Sequence, residues 1–202
     1  MPASPRYKNL FSPGSIGTMR LKNRLVMAPM VTQFATDTGA ASPVQRAYLA
    51  ERAKGGVGLI IVEGTHVAPL GATFPCHLGI HRDSLVPSHV ELTETVHRFG
   101  ARVALQLMHG GNRADPRATG GEVVAPSPVV APGFQAIPRE LTVPEIHELT
   151  IRFGEAASQA RRAFDLALEV GASQAAGGAG QLLLQILVRQ LCVACLAGDR
   201  GG

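Results

Sequence analysis

The sequence has no tryptophan, two tyrosines and seven phenylalanines in 202 residues. A core must therefore rest on Leu, Val, Ile, Ala and Met, and no aromatic-rich docking pattern supports a peptide-binding module. Charge of one sign is also scarce. The formal balance is +4, and the lysines and arginines are dispersed, with no basic run interleaved with aromatics. That argues against nucleic acid as a partner. Three cysteines are too few and too oddly numbered for a disulfide framework, and Met1 to Asn9 lacks the apolar centre of a signal peptide. The expectation is a reducing cytoplasm. The apolar run Leu182 to Val188 is too short to span a bilayer, so no membrane partner is expected. Cys192-Val-Ala-Cys195 has redox or metal-ligand spacing, against which stands the plainer reading of two small residues in an apolar run.

What is present is an alternation of strands and helices. Leu10 to Leu21 reads as a loop and short edge hairpin, and Leu25 to Met27 as a first buried strand stopped by Ala28-Pro29-Met30. Ser42-Pro43 starts a helix, with Ser at the cap and Pro in the first turn, and Gly55-Gly56 ends it. Val44, Ala47 and Tyr48 share one of its faces. The continuously apolar Leu59 to Val62 suits a strand covered on both faces. A second helix runs from about Leu85 to Phe99, and Val103 to Leu107 makes a third strand. The stretch Met108 to Leu141 is a very long loop, which is uncommon without a function. Thr142-Val-Pro-Glu145 is a capping box opening a third helix, with Ile146, Leu149, Phe153 and Ala157 on its apolar face. Phe164 to Val170 reads either as a fourth strand or as more helix.

Strand and helix alternating three times argue for parallel pairing with right-handed crossovers. A doubly wound dinucleotide-binding sheet would carry a glycine-rich turn after its first strand, and here there is none. The pattern fits an α/β fold of the TIM (β/α)8 barrel type, about its first half, with a short N-terminal hairpin. The expected division is an N-terminal tail over 1–9, a barrel portion over 10–170, and an Ala/Gly-rich then apolar tail over 171–202.

Several residues at the strand mouths carry chemistry. Gln106 presents a carboxamide that donates and accepts, which suits a heterocycle with alternating groups; a buried glutamine satisfied by backbone is the other reading. Gly64 lets a flat ligand approach the backbone, or serves only its turn. Glu63 reads as an acid or as a structural, helix-facing contact. His109 reads as a loop-bonding residue. His66, Cys76, His77 and His81 form a loose cluster whose spacing matches no compact metal motif.

Four segments in order, Asn23-Arg-Leu-Val-Met-Ala-Pro-Met30, Gly58-Leu-Ile-Ile-Val-Glu-Gly64, Gln106-Leu-Met-His-Gly-Gly111 and Ala125-Pro-Ser127, resemble the old yellow enzyme family. More narrowly they resemble its NADH:flavin oxidoreductase and 2,4-dienoyl-CoA reductase-like branch, from about Leu10 to Ala163. The resemblance implies a TIM barrel that binds FMN non-covalently at the strand tops. It implies NADH or NADPH as reductant and a small-molecule substrate with an activated C=C bond, an enone or enoyl thioester. On this resemblance Ala28, Pro29 and Met30 match the backbone wall beside the isoalloxazine ring. Val31 stands where many relatives carry Thr or Cys near the flavin C4 carbonyl and N5. Thr32 matches a threonine of the reductase-like branch, Gly64 the small residue at the O4 edge, and Gln106 the glutamine on the pyrimidine edge.

Beyond about Ala163 the family pattern stops. Relatives continue with His-x-Ala-His-Gly-Tyr, whose histidine and its partner hold the substrate carbonyl, whereas no histidine follows His147 here. No catalytic residue is assigned, and Tyr7 and Tyr48 fall away from the expected mouths. The change suggests a shifted reading frame or a degraded gene. The alternative to a working oxidoreductase is a truncated, non-catalytic barrel fragment that pairs as a homo-oligomer or with a complementary barrel half.

Overall fold

The computed structural model describes residues 7–169, with the side chains of the last four left aside. The expectations for the 171–202 tail, including Cys192 and Cys195, lie outside these residues. A helical turn, α1 (Lys8–Phe11), precedes the hairpin β1 (Gly14–Ile16) and β2 (Met19–Leu21), which pair antiparallel. Then come β3 (Val26–Met27), α2 (Pro43–Lys54), β4 (Leu59–His66), α3 (Val86–His97) and β5 (Arg102–Met108). A short pair, β6 (Val124–Ala125) and β7 (Arg139–Glu140), leads to α4 (Val143–Arg161) and β8 (Leu166–Glu169).

The central sheet runs β3-β4-β5-β8, and every pairing is parallel. The stretch that read as either strand or helix therefore contributes a strand over Leu166–Glu169. All three long helices cover the same side of the sheet. Leu49 and Ala53 of α2, Leu92 and Val96 of α3, and Phe153, Ala156 and Ala160 of α4 pack with Ile60, Val62, Val103, Leu105 and Leu107. The opposite face, Leu59 and Ala104 with Ile61 alongside, packs among the described residues with Met19 and Leu21 of the hairpin. A doubly wound sheet would carry helices on both faces, so this singly covered, hairpin-plugged sheet has the arrangement of a barrel wall.

The helix starts follow their sequence signals. Ser42 caps α2 by accepting the Gln45 N–H at 3.2 Å, and its own hydroxyl donates to the Phe34 carbonyl. Ser42→Ala should lower stability by about 1 kcal/mol, read as a lower urea midpoint with unchanged slope. Thr142 and Glu145 make both bonds of the capping box. The inward faces differ from a simple spacing rule. Val44 is 60% exposed, and α2 instead buries Gln45, Leu49, Ala50 and Ala53, because the strand beneath it meets the face one residue further round. On α4 the buried set is Phe153, Ala156 and Ala160, with Leu149 and Ala157 at its border. The segment after β5 is not structureless, since β6 and β7 pair within it and Arg139 bridges Glu122 and Glu145. No helix among the described residues is long and apolar enough to cross a membrane.

Candidate functional site

The C-terminal ends of the parallel strands carry the candidate residues, and a bulge in β4 decides which of them meet. Along β4 and β5 the register runs Leu59 with Arg102 to Val62 with Leu105, then skips Glu63 and resumes at Gly64 with Gln106. One extra residue flips the alternation. Without the skip Glu63 would share the inner face of Leu59 and Ile61. With it, Gly64 comes level with Gln106, which follows Ala104 on that inner face by the period of two.

Gly64 is buried, and its missing side chain is used. A Cβ there would lie 2.5 Å from Met108 Sδ and 3.3 Å from Gln106 Oε1. Gly64, Gln106 and Met108 therefore form one tight group at the mouth. Gln106 and Met108 are half-buried, and among the described residues the Gln106 carboxamide makes no hydrogen bond. The glycine backbone is fixed from behind: His77 donates from Nε2 to the Gly64 carbonyl at 2.5 Å. His77 Nδ1 accepts the Thr73 N–H at 3.1 Å, which sets the neutral tautomer, and burial lowers its pKa.

Ala28, Pro29, Met30 and Val31 continue upward from β3, whose Met27 pairs with Ile60. Met30 is 62% exposed, and Val31 is half-buried. The segment is tied back to β4 at Thr32, whose N–H and Oγ1–H both donate to Glu63 Oε2, at 2.7 and 2.6 Å. The Thr32 hydroxyl proton is thus committed, leaving that side chain able only to accept. The structure brings Gly64 and Gln106 into contact range and binds Thr32 to the residue next to Gly64. It places Ala28 to Val31 in the segment that follows the neighbouring strand β3.

Three features of this mouth were not legible as site features in the sequence. The Glu63–Thr32 tie spans 31 positions and has no local motif. His77 reaches Gly64 from a loop, and only its presence in a histidine-rich stretch hinted at a role. Met108 lay inside the Gln106 motif without drawing attention. His109 accepts the Gly111 N–H at 3.1 Å through Nδ1, and burial lowers its pKa to about 4, so it serves its loop as a neutral ring. His66 donates from Nδ1 to the Ala68 carbonyl at 3.0 Å and stacks on His81, with ring centres 4.8 Å apart. Burial, then the neighbouring His81 and His77, holds it neutral down to about pH 3. Cys76 is exposed and free, and among the described residues no three His, Cys, Asp or Glu side chains stand as a metal set. Tyr48 lies under Arg52, 3.4 Å from ring centre to guanidinium carbon, on the helix side.

The flat tricyclic group implied by the sequence fits this mouth chemically. Gly64 leaves a side-chain-free strip, and Gln106 offers a free donor and a free acceptor beside it. Met108 and Val31 add apolar surface. A separate concavity of about 840 Å³ lies at the opposite end of the sheet, lined by hairpin residues with Arg20, Arg24 and Val26. It contains none of the strand-top residues, and barrel chemistry belongs at the strand tops.

A family described as NADH:flavin oxidoreductase / NADH oxidase matches residues 9–175. A protein named NADH oxidase from Thermoanaerobacter brockii is 42% identical over 159 residues, covering 78% of this chain and 24% of that one. An NADPH dehydrogenase from Bacillus subtilis is 36% identical over 161 residues, covering 79% and 47%. The solved old yellow enzyme homologue from Zymomonas mobilis superposes with a TM-score of 0.81 at 28% identity, over 93% of this chain and 60% of that one. The chain thus spans about a quarter to a half of the length of these curated relatives.

Proposed function

The chain belongs to the NADH:flavin oxidoreductase / NADH oxidase family, and from that premise we propose that its strand tops hold FMN for an NAD(P)H-dependent reduction of activated C=C bonds in enones or enoyl thioesters. FMN is the cofactor of this old yellow enzyme type, with NADH or NADPH as reductant. The substrate class follows the likeness to the 2,4-dienoyl-CoA reductase-like branch. Residues 10–170 are read as the N-terminal portion of the FMN-binding barrel, and 171–202 as a divergent tail.

The observation that carries the reading is the unpartnered Gln106 carboxamide on the inner face, level with Gly64. Gln106 would pair with the pyrimidine edge of the ring, and Gly64 would admit its O4 edge. Ala28, Pro29, Met30 and Val31 would wall one side, with Thr32 fixing that wall to β4. When bound, FMN supplies the hydride chemistry. This chain's residues would orient the ring, and Val31, having no hydroxyl or thiol, would donate no side-chain hydrogen bond to it.

A second reading is a non-catalytic fragment. It is favoured by the open sheet: among the described residues β3 and β8 each pair along one edge only, and unpaired edges invite association. A second copy, or a complementary barrel half, would close them.

A titration of the purified chain with FMN separates the two. Quenched flavin fluorescence, a shifted visible spectrum and bleaching by NADH or NADPH, followed by consumption of an enone, are the outcome for the oxidoreductase. Bound flavin without turnover leaves the cofactor site standing and assigns the chain to the fragment. Free flavin at all concentrations overturns the cofactor site itself.

A further inference from the structure

Glu63 is 3% exposed and has no part in the cofactor contacts described above. The bulge sends it away from the mouth, toward α2 and the loop that follows β3. Its Oε2 accepts both Thr32 donors, while its Oε1 has no hydrogen-bond partner. The Gln45 carboxamide and the Leu78 backbone face it as donors outside ordinary hydrogen-bond geometry, and both lower its pKa. With the two Thr32 donors, they bring the loop after β3, α2 and β4 together on one carboxyl.

We propose that Glu63 is a positioning residue for the cofactor wall: it accepts both Thr32 donors at Oε2 and stands against Gln45 of α2, so that β4 and α2 hold Val31 and Thr32 in place at the mouth. The inference rests on the flavin reading of the mouth. Burial also pushes this carboxyl above the ordinary carboxylate range, against the lowering effect of the Thr32 bonds. Thr32 lies one residue from Val31, so the tie fixes the wall from behind without touching the ring. Glutamine at position 63 would keep the Thr32 tie, since its oxygen accepts both bonds.

Two measurements on the full chain test this. FMN titration should give wild-type affinity for Glu63→Gln and a loss of about tenfold for Glu63→Leu. Thr32→Val, which keeps the N–H bond and so guards against a folding defect at position 63, should show a smaller loss. At saturating FMN the visible band of Glu63→Leu and Thr32→Val should be displaced from that of wild type, and that of Glu63→Gln should coincide with it. Equal affinity and equal spectra in all variants would overturn the positioning role while leaving the flavin reading intact. Failure of wild type itself to bind FMN would overturn that reading, and the positioning role with it.

Discussion

Replacing Gly64 with valine should weaken FMN binding on the order of a hundredfold, the scale of a few kcal/mol of overpacking. The first added carbon would lie 2.5 Å from Met108 Sδ and 3.3 Å from Gln106 Oε1. Met108 is flexible at its far end and can turn aside, so Gly64→Ala should fold with a modest loss of stability. Turning aside costs the mouth its shape, however, because Met108 and Gln106 occupy the face on which the ring would lie. Valine adds two further carbons to the same strip and leaves no conformation that keeps both Gln106 and the opening. The graded series glycine, alanine, valine is to be followed by flavin fluorescence, with urea unfolding as the check on folding. Met108→Ala in the Gly64→Ala background should recover part of the affinity by vacating the contacted volume. Wild-type affinity in Gly64→Val would show that the ring does not approach this strand.

The strands and helices were legible because their signals are local. Ser42-Pro43 and Thr142 to Glu145 state where helices begin, and the continuous apolar run Leu59 to Val62 states that a strand is covered on both sides. The second strand, read over Gly58 to Thr65, is β4 with its end one residue further on. β4 continues through Glu63, Gly64, Thr65 and His66, and a carboxylate, a glycine and a histidine in series give no strand signal by propensity. They are held in the sheet by β5 and by the loop that returns His77 to Gly64. Helix faces were read less well. Val44, Ala47 and Tyr48 have correct helical spacing, but spacing fixes which residues share a face and not which face meets the sheet.

The candidate site divides along the same line. Gly64 and Gln106 were legible as mouth residues from their positions at strand ends, and the resemblance to a flavoprotein family supplied their pairing. That they stand level depends on the bulge at Glu63, which no sequence period announces. Glu63 itself left two readings open, an acid for chemistry or a structural contact facing a helix. Its position beside Gln45 of α2, with both Thr32 donors on one oxygen, gives the structural contact. The histidines show the same limit. Their number in the 66–81 stretch is visible, whereas their tautomers follow from partners such as Thr73 and Gly64, brought there by the fold.

Those histidines carry the second large effect, a steep loss of stability in mild acid. His66 is held neutral down to about pH 3, and His89 and His109 down to about pH 4, chiefly by burial. His77 and His81 are lowered in the same direction, His81 also by Arg82 and Arg152. An unfolded chain protonates these rings near the ordinary value of 6.5, so between about 6.5 and 4 the unfolded state binds more protons than the folded one. Stability is therefore full above pH 6.5 and falls as pH drops through that window, by about 1.4 kcal/mol per pH unit for each fully buried ring. For His66, His89 and His109 alone this reaches about 2 kcal/mol each by pH 5, comparable in sum with the whole stability of many domains. Glu63 acts in the opposite sense, because its raised pKa means the folded state takes up a proton first; one carboxyl offsets only part of the effect. Urea midpoints at pH 7.5, 6.5, 5.5 and 5.0 should stay level over the first step and then drop. His89→Gln, which retains a donor for the Gly79 carbonyl that His89 Nε2 reaches at 2.9 Å, should reduce the slope by about one proton. A midpoint independent of pH across this range would mean that the rings are solvated in the folded chain.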